Sequence, residues 1–153
     1  MTKRLIVPLA LGVLLLAGCL PAITAADLVG TWQVPGEHAT PGGELYLRLT
    51  DGGTFQMAAS PAELDTAPLV EGEWTFRGAR LTLTDRSAAV GWDQCRGEPA
   101  GLYGVELPDV ESMVLRLLED GCADRAGRLT AGPLIWVPEG QGGGSQPGAG
   151  DIQ

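Results

Sequence analysis

The sequence predicts an all-β fold, a single eight-stranded antiparallel up-and-down barrel, and three observations predict it. Between Asp27 and Glu139 the apolar runs are short and are separated by turn residues at close spacing. Within several runs apolar and polar side chains alternate, as an antiparallel sheet with one buried face requires. Long and short connections also alternate along the chain, which sorts them to opposite ends of a meander.

The strands follow in order. Leu28–Val34 is the first and contains Gly30-Thr31-Trp32. Glu44–Thr50 is the second, with Leu45, Leu47 and Leu49 on one face and Tyr46 and Arg48 on the other. A tight turn at Asp51-Gly52-Gly53, where glycine supplies a positive φ, leads to Thr54–Ala58. The fourth, Leu69–Arg77, sets Val70, Gly72, Trp74 and Phe76 against Glu71, Glu73, Thr75 and Arg77. Gly78-Ala79 turns it into the fifth, Arg80–Thr84, where Leu81 and Leu83 alternate with polar neighbours. Gly101–Leu107 and Ser112–Glu119 are joined by Pro108-Asp109-Val110-Glu111, and Leu134–Val137 is the last strand.

The remaining connections, 35–43, 59–68, 85–100 and 120–133, are longer. In a meander they share one rim, and the three hairpins share the other end. Closure of the eight strands removes exposed sheet edges. The expected interior is Trp32, Val34, Leu45, Leu47, Leu49, Phe55, Met57, Trp74, Phe76, Leu81, Leu83, Tyr103, Val105, Met113, Leu115, Leu117 and Ile135. Val114 and Leu118 compete with the Met113 set for the inward face. A barrel of this size is either filled by side chains or holds one small ligand, and these residues read as packed core and as pocket wall alike.

The N-terminus carries an address. Lys3 and Arg4 precede an uncharged run that starts at Leu5, and no charge occurs before Asp27. A basic start, an apolar middle and small residues at a cut form an export signal. The competing reading is an uncleaved membrane anchor, for which the run is long enough. Pro8, Gly12 and Pro21 weaken such a helix. Leu16-Ala17-Gly18-Cys19 resembles the lipobox of bacterial lipoproteins. The resemblance implies cleavage before Cys19, lipidation of its sulfur and acylation, palmitate included, of its new amino group.

These signals divide the chain into a signal peptide (1–18), a tether (19–26), the barrel (27–139) and a glycine-rich, disordered tail (140–153). The whole chain has a formal net charge of −9; cleavage removes Lys3 and Arg4, leaving 8 arginines against 19 acids. A surface of that sign excludes nucleic acid as a partner class, because phosphate binding needs a basic face. It also leaves membrane attachment to the acyl chains. The expected location is the exported side of the cell envelope. Leu20, rather than aspartate, after Cys19 leans toward the outer membrane in a cell that has one.

Two cysteines remain, Cys95 and Cys122. An exported domain meets an oxidising compartment, so they pair as a disulfide. The competing reading is two free thiols or metal ligands, although no second Cys or His lies close enough in sequence to build a metal site. Both fall in long loops of the same rim. The chain-entropy model assigns such a cross-link, closing about 28 residues, roughly 3–4 kcal/mol.

Asp27-Leu28-Val29-Gly30-Thr31-Trp32 resembles the opening of the calycin barrels, the lipocalins and fatty-acid-binding proteins among them. Gly30 and Trp32 match their N-terminal Gly-x-Trp, in which the tryptophan plugs the closed end of the barrel. Lipocalins pack an arginine of the last strand across that tryptophan. Leu134–Val137 has none, and only Arg77 and Arg80 stand as substitutes. The resemblance implies the fold and the binding of a small apolar or amphipathic ligand.

Catalytic candidates are few, and no enzyme, cofactor or metal is expected. His38, the one histidine, lies in the first long loop beside Glu37 without a visible triad partner. Glu71 and Glu73 share the solvent face of the fourth strand. Asp93, Asp120 and Asp124 offer oxygen ligands at the rim, but Arg96, Arg125 and Arg128 share those loops and favour ion pairs. The expected function is therefore non-enzymatic ligand binding at the envelope, and the alternative is a filled barrel that meets another envelope protein.

Overall fold

The computed structural model describes residues 22–139. The expected signal peptide, Cys19, the first part of the tether and the glycine-rich tail lie outside the described residues. Eight antiparallel strands close a barrel in which each pairs with the next and the last returns to the first. The strands are β1 (Gly30–Val34), β2 (Leu45–Leu49), β3 (Thr54–Ala58), β4 (Val70–Arg77), β5 (Arg80–Ala88), β6 (Gly101–Glu106), β7 (Ser112–Glu119) and β8 (Leu134–Val137). The three hairpins sit at one end, the floor; the four long connections sit at the other, the rim.

Two departures shape the ends. The expected first strand starts later, because Ala25–Leu28 forms a short 3-10 helix across the floor. Its entry is fixed by Asp27, whose carboxylate accepts the Thr24 N–H at 2.7 Å and the Thr24 hydroxyl at 2.8 Å. Ile23, expected in the tether, packs against the core. At the rim, the loop 120–133 contains α1 (Ala123–Leu129). Only seven residues long, it offers too few turns for a periodic signal in the sequence.

The core is continuous along the barrel axis. Trp32, Tyr103, Phe55, Met113 and the leucines of β2 and β5 are fully buried. Leu28 closes the floor and Leu129 of α1 closes the rim, both without solvent exposure. Of the two outcomes open to eight strands, these buried side chains give the filled lumen.

Leu117 and Ile135 correct the expected interior: they are 49% and 46% exposed. In β8 the phase is opposite to the expectation. Leu134 lies opposite inward-facing Met113, which turns Ile135 outward opposite Ser112. A four-residue, all-apolar strand has no alternation from which to read its phase. Leu117 is exposed because β8 pairs with β7 only at Ser112 and Met113. Beyond them, Val114–Glu119 has no strand beside it in the β8 direction, and Arg116 to Glu119 are all exposed. The Met113 and Leu115 set takes the inward face over Val114 and Leu118. Phe76, near the β4–β5 hairpin, is half-buried.

Candidate functional site

The rim is closed by side chains from four parts of the chain. α1 turns Arg125, Ala126 and Leu129 into the barrel mouth. The guanidinium of Arg125 forks onto Asp120, with Nε–Oδ2 2.8 Å and Nη2–Oδ1 2.7 Å. Its third nitrogen, Nη1, reaches Asp85 Oδ1 at 2.8 Å, and Nη2 also donates to the Pro99 carbonyl at 2.8 Å. The three side chains are nearly dry, at 4% exposure for Arg125, 6% for Asp85 and 0% for Asp120. Tyr103 donates its hydroxyl to Asp120, and the Cys122 N–H donates to Asp120 at 2.7 Å. Gly101 is required here, since a Cβ would collide with the Asp120 carboxylate and the Tyr103 ring.

Burial and charge set the titration of this group. Burial raises the Asp85 pKa, and the neighbouring Asp120 adds to it against the pull of Arg125. Burial works the same way on Asp120, but hydrogen bonds from Arg125, Tyr103 and the Cys122 N–H outweigh it and hold the carboxyl below its usual value. Tyr103 is raised by burial and by Asp120. A buried cation paired with two carboxylates is therefore an ionic plug, and it spends four hydrogen bonds on the protein.

Cys95 and Cys122 are bonded, with 5.2 Å between their Cα atoms. Cys95 ends a short 3-10 helix, Asp93–Cys95, and Cys122 is the N-cap of α1. The bond ties the β5–β6 loop to the helix that carries Arg125. Beside it, Arg128 stacks its guanidinium 4.2 Å from the Trp92 ring centre and pairs with Asp124 at 2.9 Å. Asp120 and Asp124 are thus engaged by arginines, and among the described residues no group of three His, Cys, Asp or Glu converges as metal ligands. The space left in this mouth, between Met57, Val70, Trp92 and Arg125, is about 20 Å³. That is room for about one water.

His38 is half-buried, with Nε2 buried and unpaired beside a recess against Ala123, Gly127 and Ala131. Glu71 and Glu73 face solvent as surface partners: Glu71 accepts from Gln56 and Ser87, and Glu73 pairs with Arg86.

The floor is built on Trp32. Its indole N–H donates to the Leu28 carbonyl at 3.0 Å, tying the 3-10 helix to β1. Trp136 meets it edge-on, with ring centres 5.2 Å apart and planes at 78°. Gly30 makes that contact feasible. Its φ is +145°, and a Cβ would overlap the Trp136 ring. Arg77 and Arg80 are exposed, and the ring that packs against Trp32 comes from Trp136 of the last strand. No family model matches the chain, and neither does any curated protein.

A second cavity opens at this end. A cleft of about 430 Å³ lies between Ala22, Ile23 and Asp27 on one side and Leu107, Asp109 and Val110 on the other, with Trp32 at its base. Sequence reasoning missed it, because it forms between the segment before the barrel and a hairpin tip. Asp85 was missed as well. Leu81, Leu83 and Asp85 follow one another at period two, so a fifth strand read past Thr84 turns that carboxylate inward.

Proposed function

We propose that this chain is a lipid-anchored protein of the cell envelope whose filled barrel serves as a rigid, non-enzymatic module for contact with another envelope protein. The observation that carries this reading is the closure of the barrel along its whole axis. Large side chains fill the lumen, and the Arg125 plug leaves about 20 Å³ at the mouth. A carrier of a drug-sized molecule needs a cavity more than ten times that size.

The anchor is supported by the run from Lys3 to Cys19 and by the direction of the chain at the floor. β1 starts there, β8 ends there, and the residues just before β1 pack beneath Trp32. A Cys19 held in a membrane keeps the floor near the bilayer and turns the disulfide-braced rim away from it. The partner surface with most support is the outer half of β7. It offers an unpaired strand edge flanked by exposed Leu117 and Leu118. An extended segment of a partner adds to such an edge through main-chain hydrogen bonds. A second reading, capture of a small apolar ligand, draws its support from the floor cleft instead of the lumen.

Two measurements test the proposal. Organic extraction of the full-length protein, followed by mass spectrometry, should release no free small molecule in stoichiometric amount. A photo-crosslinking residue at Leu118 should give one discrete larger species in cells, and the same residue at Arg77 should not. A stoichiometric free ligand, or identical crosslinking at both positions, sinks the module reading.

A further inference from the structure

The floor cleft has no task in a filled scaffold. Its walls are mainly apolar, from Ala22, Ile23, Trp32, Leu107 and Val110. Val110 stands at the lip and is 91% exposed. The two carboxylates at its margin are committed to local bonds. Asp27 holds Thr24, and Asp109 accepts the Glu111 N–H at 2.9 Å and the Ser112 hydroxyl at 2.7 Å. The lining contains no Lys, Arg or His. A free fatty acid or a phospholipid headgroup would bring a negative charge to a site with two carboxylates and no cation. An acyl chain joined through an ester or amide brings none. The cleft is concave, which suits a chain better than a flat bilayer surface.

We propose that the occupant is one of the fatty acyl chains carried by Cys19; the inference rests on the lipidation read from Leu16–Cys19. The reach is short. Ala22 is itself a wall of the cleft, and three residues of extended chain from Cys19 cover at most about 11 Å. The floor thus gives one acyl chain a place outside the bilayer, close to its point of attachment. A protein holding a chain in this way exposes less apolar surface while it crosses water between membranes.

The test uses the full-length protein in cells fed a palmitic acid analogue with a mid-chain photoreactive diazirine. After irradiation, crosslinked peptides are mapped by mass spectrometry. The Cys19 acyl group should crosslink to the stretches around Ile23 and Leu107–Val110. Val110→Asp should lower that yield roughly tenfold, because it sets a carboxylate in the path of the chain. Val110 is exposed, so the variant retains the fold; Val90→Asp, at the opposite end and fully exposed, should leave the yield unchanged. A Cys19 peptide free of any acyl group overturns the anchor and the seat together. An acylated Cys19 that crosslinks only to lipid, or a Val110→Asp yield equal to wild type, overturns the seat and leaves the anchor standing.

Discussion

Arg125 and Asp120 form a two-pronged ion pair at 2.7 and 2.8 Å inside the mouth of the barrel, five residues apart in sequence and both out of water. Breaking a buried pair from one side strands the other charge, which costs about 3–5 kcal/mol. Arg125→Ala should therefore lower the unfolding free energy, read from urea denaturation, by an amount in that range. Arg125→Lys keeps the charge but loses the planar fork, and should fall between wild type and Arg125→Ala.

The same cluster gives the protein a two-part acid response. The folded pKa of Asp120 lies below its ordinary value of 3.8, so its contribution is fully present above that pH and is lost as pH falls through the lower folded value. Asp85 runs the other way. Its folded pKa is raised above 3.8, so its folded form holds the proton more tightly, and stability rises as pH falls through that raised value. Urea midpoints measured across an acid series should show both effects. Asp120→Asn should flatten the loss at the acid end, and Asp85→Asn should remove the gain that precedes it. An unchanged profile in both variants would show that the cluster does not control the response.

The Cys95–Cys122 bond braces a rim whose strands are already paired around the barrel. Reduction should leave the far-ultraviolet circular dichroism of the strands in place. It should lower stability by roughly 3–4 kcal/mol, the loop-closure value for this separation. Circular dichroism with and without reductant, followed through thermal melting, checks both halves.

Gly30 and Trp136 should be coupled. Gly30→Ala forces a methyl group into the Trp136 ring at a positive φ and should cost about 2–3 kcal/mol. In the Trp136→Ala background the same change should cost less, because the ring is gone while the backbone strain remains. A double-mutant cycle on chemical denaturation reads the difference directly; strict additivity would dissociate the glycine from the tryptophan.

Ala79 is the one non-glycine residue with positive φ among the described residues, at 60° in the Gly78-Ala79 turn. Ala79→Gly should stabilise the β4–β5 hairpin by about 0.5–1 kcal/mol, since the left-handed region penalises a Cβ. Thermal melting of the single variant suffices to check it.

The strands were legible because turn residues punctuate them and because β2, β4 and β5 alternate cleanly. Leu45, Leu47, Leu49, Trp74, Leu81 and Leu83 are buried as their spacing implies. β8 was legible in place but not in phase, as Leu134–Val137 is apolar throughout. The cysteine pair could be read from compartment and rim placement. The buried state of Arg125 could not, because it depends on Asp85, forty residues away in sequence, and on a helix too short to announce itself. The floor cleft was illegible for the same reason: its two sides, around Ile23 and around Val110, lie far apart in sequence.

Thr31 faces Val137 across the seam that joins β1 to β8. The first strand therefore waits for the last before the wall is complete. Such a non-local pairing forms late in folding, after loop closures have been met. Synthesis runs from the N-terminus, so β1 keeps one open edge until nearly all of the barrel has been made. Cys95 and Cys122 both appear before β8, so the rim can be bonded while the seam is still open. Truncation ahead of Pro133 would strand two edges, those of β1 and β7, and turn the molecule into a template for its own aggregation.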